Sequence, residues 1–193
     1  MVKKPLNVIY HWFPHYREPI FSQINDAFDL TLVGDVVTNY ESLKLLDITK
    51  FNFIRVRNKW FGPFLFQVGL FSYIKHNNDK NFIFLADWKF LATWFVLLFI
   101  RKKDKKFIGW THGLSSGNKF IQLIYYRLFD EILTYNETAA RLLNSKGVKS
   151  RPIYNSINYS NKIPKKTGDE INWIFIGRII KNRLLEHIFI DMS

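Results

Sequence analysis

The sequence predicts an α/β fold: a Rossmann-like, doubly wound and mostly parallel sheet. Three observations predict it. Short apolar runs of strand length alternate along the chain with segments of helical length, the pattern of a parallel sheet covered on both faces. Several of those runs are continuously apolar, as strands buried on both sides are. Turn residues stand at their carboxyl ends, where open α/β sheets bind ligands. Composition agrees with such a fold. Of 193 residues, 48% are hydrophobic, enough for a sizeable core, and no cysteine is present. That excludes a disulfide framework, a thiolate nucleophile and a cysteine zinc site.

Leu6–Tyr10 (LNVIY) reads as the first strand. The loop that follows, HWFPHYREP, is dense in aromatic and basic groups and punctuated by Pro14 and Pro19. Pro19 suits the first turn of a helix running to about Phe28. In it, Ile20, Phe21, Ile24 and Phe28 recur at helical spacing and should face the sheet. Leu30–Val37 and Phe51–Val56 read as the second and third strands, joined by a polar connection with a short helix. Phe64–His76 has helical length and a positive end. Phe82–Ala86 (FIFLA) is a buried strand, with Asp87 in the N-cap position of a helix Trp88–Ile100.

Phe107–Trp110 (FIGW) is the next strand and ends in the turn Thr111-His112-Gly113. A helix from about Lys119 to Phe129 leads to the strand Asp130–Tyr135. Asn136 can cap the helix Glu137–Ser145, which stops at Gly147. A short strand is expected around Arg151–Tyr154. In residues 159–170 Asn, Lys, Pro, Thr, Gly and Asp dominate, which reads as a linker, and Ile171–Ile176 (INWIFI) opens a second domain. The expected organisation is a first domain over 1–158, a linker over 159–170 and an incomplete second domain over 171–193.

Absent motifs narrow the chemistry. The loop after the first strand has no glycine, so the dinucleotide fingerprint is missing. Gly113-Leu-Ser-Ser-Gly117 lacks the Lys-Ser/Thr of a P-loop, and no Gly-x-Ser-x-Gly elbow is present. His11 and His15 stand four apart, but Pro14 between them argues for a loop, and no metal site is expected. The net charge of +12 suits nucleic acid, an anionic membrane or phosphorylated substrates. A chain rich in Lys, Asn, Ile and Phe is also what an AT-rich genome encodes, so charge alone selects none of them. The apolar stretch Trp88–Ile100 falls short of the ~20 residues a spanning helix needs. With the basic run Arg101–Lys106 after it, that stretch reads either as a core helix with a cationic end or as a helix resting on an anionic membrane.

Taken in order, HWFPHYREPIF, GWTHG, FDEILTYNE, SKGVKSRPIYNSIN and WIFIGRIIKNR resemble the group 1 glycosyltransferases of the GT-B fold. The resemblance runs from Asn7 to about Arg183. It implies two Rossmann-like domains, the first holding a sugar acceptor and the second a nucleotide-sugar donor. It implies transfer with retention of configuration, with the nucleotide-sugar as co-substrate, no cofactor and no obligatory metal. His112 matches the family's catalytic histidine at the end of a first-domain strand. His15, Tyr16 and Arg17 match its acceptor-side loop. Gly177, Arg178 and Arg183 match its donor-diphosphate turn, although the family typically has a lysine where Arg183 stands.

The family's pair of donor-holding glutamates has no counterpart after Arg183, where Glu186 stands alone before the end at Ser193. The expectation is a truncated transferase whose isolated chain is inactive or nearly so. Its acceptor would be a bacterial cell-surface glycan or a lipid-linked precursor, met in the cytoplasm at the inner face of the membrane, with peripheral contact to anionic lipid. Two alternatives stay open. One is a non-catalytic binding module or half of a split enzyme. The other is a basic nucleic-acid-binding protein, against which stands the lack of any nucleic-acid motif.

Overall fold

The structure is a computed structural model that describes residues 2–38, 43–100 and 104–153. In chain order it contains β1 (Lys4–Ile9), α1 (Glu18–Ala27), β2 (Phe28–Gly34), β3 (Asn52–Arg55), β4 (Arg57–Phe61), β5 (Phe64–Val68), α2 (Leu70–His76), β6 (Asn81–Leu85), α3 (Leu91–Phe99), β7 (Lys106–Thr111), α4 (Lys119–Arg127), β8 (Glu131–Thr134), α5 (Glu137–Ser145) and β9 (Ser150–Pro152). Short 3₁₀ turns lie at His15–Arg17 and Ile48–Lys50. The fold is α/β and doubly wound, as expected. Seven strands form one parallel sheet in the order β3-β2-β1-β6-β7-β8-β9.

The chain steps outward from β1 through β2 to β3, then returns to lay β6 on the other side of β1. That reversal opens a crevice beyond the carboxyl ends of β1 and β6. Helices cover both faces of the sheet. Strand alternation sorts the core accordingly. Leu6, Val8, Tyr10, Ile108, Trp110 and Leu133 pack with Phe21 of α1 on one face. Ile9, Phe82, Phe84, Phe107 and Ile132 pack with residues of α2 to α5 on the other. Burying side chains of this size stabilises the fold by about 1.5–3 kcal/mol each. Where β6, β7 and β8 draw close, Gly109 is required: a Cβ there would stand 2.5 Å from Ile132 Cδ1 and 2.9 Å from Ala86 Cβ.

Helix ends follow the capping chemistry of the sequence. Asn136 accepts from Ala139 N at 2.8 Å, and Asn118 caps α4 by accepting from Ile121 N at 3.2 Å. Gly147, at φ 75°, follows the end of α5.

Two expectations are corrected. Residues 64–76 are not one helix. Leu65 and Gln67 are buried while Phe64, Phe66 and Val68 are half-buried, a period of two that pairing with β4 satisfies in an antiparallel hairpin. Gly69, in the left-handed region at φ 95°, ends that strand, and α2 begins only at Leu70. Nor does Asp87 cap α3. Its Oδ1 accepts from Lys89 N at 3.0 Å and its carbonyl from Phe90 N at 2.9 Å. Phe90 stays extended and bridges to Leu65, which delays the helix to Leu91. The expected linker and second domain lie outside the described residues.

Candidate functional site

Three parallel strands deliver side chains to the crevice. After β1 come Tyr10 and His11, after β7 comes His112, and after β8 comes Tyr135. The turn carrying His112 is held tightly. Gly113 takes φ 97°, and a Cβ there would meet Ala139 Cβ at 2.9 Å. The Tyr126 hydroxyl donates to the Gly113 carbonyl at 3.1 Å and lies 3.1 Å from Thr111 Oγ1. His112 itself is exposed, and its ring lies over Tyr135 with centroids 4.1 Å apart.

Beneath this pair lies a caged cation. The 3₁₀ turn after Pro14 swings Arg17 inward, where it is only 9% exposed. Its Nη1 donates to the Tyr10 hydroxyl at 2.9 Å and its Nη2 to the Tyr135 hydroxyl at 2.7 Å. Its guanidinium carbon stands 5.4, 5.4 and 5.6 Å from the ring centres of Tyr10, Trp110 and Tyr135. No carboxylate among the described residues pairs with it. Aromatic faces attract the cation in place of a counter-charge, and a guanidinium does not deprotonate. Among the described residues, then, no negative charge offsets the guanidinium at the crevice floor.

That charge acts on both histidines. Partial burial, helped by Arg17, lowers His112 below its ordinary value. Deeper burial, again helped by Arg17, pushes His11 down to about 4. Both imidazoles are neutral near pH 7 and able to accept a hydrogen bond from a hydroxyl. His11 lies against Trp12 and Phe90, with centroids 3.9 and 5.4 Å away, and its Nδ1 is buried without a partner among the described residues. Trp110 Nε1 is also a buried donor with none.

The hairpin β4–β5 closes one side of the crevice. Gln67 Nε2 donates to the Tyr10 carbonyl at 3.0 Å, and Asn58 Nδ2 to the His11 carbonyl at 2.6 Å. Trp60 thereby faces His11 and Trp12, at centroid distances of 6.4 and 6.0 Å.

Of the residues singled out in the sequence, His112 and Arg17 come together here. Tyr16 is 54% exposed but its hydroxyl still bonds to the Arg17 side chain, whereas its neighbour His15 turns outward, its Nδ1 3.0 Å from the Lys44 carbonyl. Gly177, Arg178 and Arg183 lie outside the described residues. Tyr10, Trp110, Tyr135 and Trp60 escape the sequence reading. The signal that could find the first three is the strand register, which puts Tyr10, Trp110 and Tyr135 on one face at the carboxyl ends of β1, β7 and β8. Among the described residues no cluster of three or more His, Asp or Glu is placed to hold a metal, and no helix is long and apolar enough to cross a membrane. No protein-family model and no curated protein matches this sequence.

Proposed function

We propose that this chain is the acceptor-side part of a GT-B-type glycosyltransferase. The observation that carries the reading is what fills the loop after β1. A Rossmann sheet that binds a dinucleotide keeps a glycine turn there, so that backbone can approach the pyrophosphate. Here the turn is packed with Trp12 and Phe13, 7% and 2% exposed, and the crevice is lined instead by neutral imidazoles and aromatic rings. Such a surface suits a polyhydroxylated ligand: rings stack on the apolar faces of sugars, and imidazole nitrogens accept from their hydroxyls.

In this reading His112 receives a hydroxyl of the acceptor or of the transferring sugar as the glycosidic bond forms. The acceptor oxygen bonds to the anomeric carbon, the nucleoside diphosphate departs with its bonding pair, and the hydroxyl proton passes to the departing phosphate oxygen. Arg178 and Arg183, placed by the sequence resemblance, would meet the growing negative charge. The donor is a nucleotide-sugar, and the acceptor a cell-surface glycan or its lipid-linked precursor.

The test is calorimetric titration of the purified chain with a panel of oligosaccharides, alongside the His112→Ala variant. Saturable glycan binding that weakens about tenfold in the variant, about 1.4 kcal/mol, supports the reading. Binding to RNA or DNA with a steep dependence on salt, and none to glycans, overturns it.

A further inference from the structure

The hairpin β4–β5 has two faces. Its register sets Lys59 opposite Phe66 and Phe61 opposite Phe64, with Arg57 opposite Val68 at the base. By the alternation of strands these six share the outer face, while Asn58, Trp60, Leu65 and Gln67 turn inward toward the crevice. The outer face continues onto α3. Phe66 meets Phe95 edge-on at 6.2 Å between centroids, Phe95 stacks on Phe99 at 6.1 Å, and Phe64 meets Trp88 at 6.0 Å.

This continuous aromatic face is open. Phe61 is 61% exposed, Phe95 50%, Leu98 54% and Phe99 71%. Scattered exposed apolar residues need no explanation, but a contiguous run of rings marks an interaction surface. Among the described residues its charges are cations. Arg57 and Lys59 rise from the hairpin's outer face, and neither has a carboxylate partner among the described residues. Lys89 Nζ sits 6.0 Å over the Trp88 ring. From Trp88 to Ile100 the sequence contains no acidic residue.

We propose that this face docks the protein on an anionic lipid surface. Aromatic rings settle at the boundary between headgroups and acyl chains. Each Lys or Arg near an anionic leaflet strengthens the attraction. α3 has nine residues, a length of about 14 Å, so it lies in the interface rather than spanning it. Charge separates lipid from a second copy of the chain as the occupant. Two copies packed face to face would bring these cations into an apolar interface without carboxylates, which desolvation disfavours. Anionic headgroups neutralise them.

Two described cations of the basic run after α3 are committed elsewhere. Lys105 is 8% exposed and its Nζ donates to the carbonyls of Asn77 and Asp79. Lys106 pairs with Glu131 at 3.8 Å. The docking determinants are the rings of α3 and the cations of the hairpin. Docking does not depend on the sugar-transfer reading. If both hold, the hairpin sets the crevice beside the headgroups, where a lipid-linked acceptor resides.

The experiment is sedimentation of the full chain with vesicles of phosphatidylcholine alone and of phosphatidylcholine with phosphatidylglycerol. Pelleting with the anionic vesicles only is expected, with at least a tenfold loss of affinity in Phe95→Ser/Phe99→Ser. A second variant, Arg57→Gln/Lys59→Gln, should weaken binding and flatten its dependence on salt; it stands in if the first fails to fold by circular dichroism. Undiminished pelleting by folded variants overturns the proposal, as does equal binding to uncharged vesicles. So does a dimer in light scattering that Phe95→Ser/Phe99→Ser dissociates while vesicles leave the wild type in solution.

Discussion

Nη2 of Arg17 donates to the hydroxyl of Tyr135 over 2.7 Å, joining residues 118 positions apart. Removing one acceptor from a buried cation costs more than removing a neutral bond. Tyr135→Phe should destabilise the fold by about 1.5–3 kcal/mol, and Arg17→Lys by a similar amount, because one ammonium cannot reproduce the fork that reaches Tyr10 and Tyr135 together. Urea unfolding followed by tryptophan fluorescence measures both. Tyr16→Ala removes a half-exposed side chain that also bonds to Arg17 and should cost less than either, about 0.5–1.5 kcal/mol.

Tyr126 locks the turn that presents His112. Tyr126→Phe deletes the hydroxyl shared by Gly113 and Thr111 and should cost about 1–2 kcal/mol. Freed from its turn, the His112 ring should also lose the upfield shift that stacking on Tyr135 gives its proton resonances. An unchanged histidine spectrum in the folded variant would place the ring's constraint elsewhere.

Acid should weaken the fold through His11. Its folded value, about 4, lies below the ordinary 6.5, so the unfolded chain takes up the proton first. Stability from this group is complete above about pH 6.5 and drains away as the pH falls toward 4, by at most about 3 kcal/mol. His112 is lowered in the same sense and adds to the slope. His11→Phe should flatten the decline measured by chemical unfolding between pH 7 and pH 4.

Gly109→Ala should destabilise by about 1–3 kcal/mol through overpacking, since Ile132 and Ala86 crowd the new methyl group from two sides. A thermal melt measures the loss. Gly62→Ala meets no atom within 4 Å. It should show only the smaller strain of its φ of 56°.

The sheet is legible in the sequence because strands buried on both faces are spelled as short apolar runs. FIFLA and FIGW can hardly be anything else at that length. The hairpin is not legible, because half-buried aromatic residues on β5 merge with α2 into one apolar stretch, and only Gly69 divides them. His112 is legible from its place just beyond a strand. The burial of Arg17 is not. It depends on Tyr10, Trp110 and Tyr135 sharing a face, and β6, which separates β1 from β7, is set there by strand order rather than by local pattern. Burial of Lys105 is hidden for the same reason, since Asn77 and Asp79 reach it from the connection that leads into β6, the strand paired with β7.

Gln67 and Asn58 attach the hairpin to the main chain of the β1 loop by side-chain bonds, and the hairpin adds no strand to the seven-stranded sheet. Its tip, Gly62-Pro63, can therefore be lengthened, shortened or exchanged while the parallel frame and the Arg17 cage keep their register. What the protein grips on its outer side and what it holds against His11 can then change separately, as long as alternate positions keep their faces. The hairpin is an adjustable fitting on a fixed frame, and the natural segment to graft when a different surface or ligand is wanted.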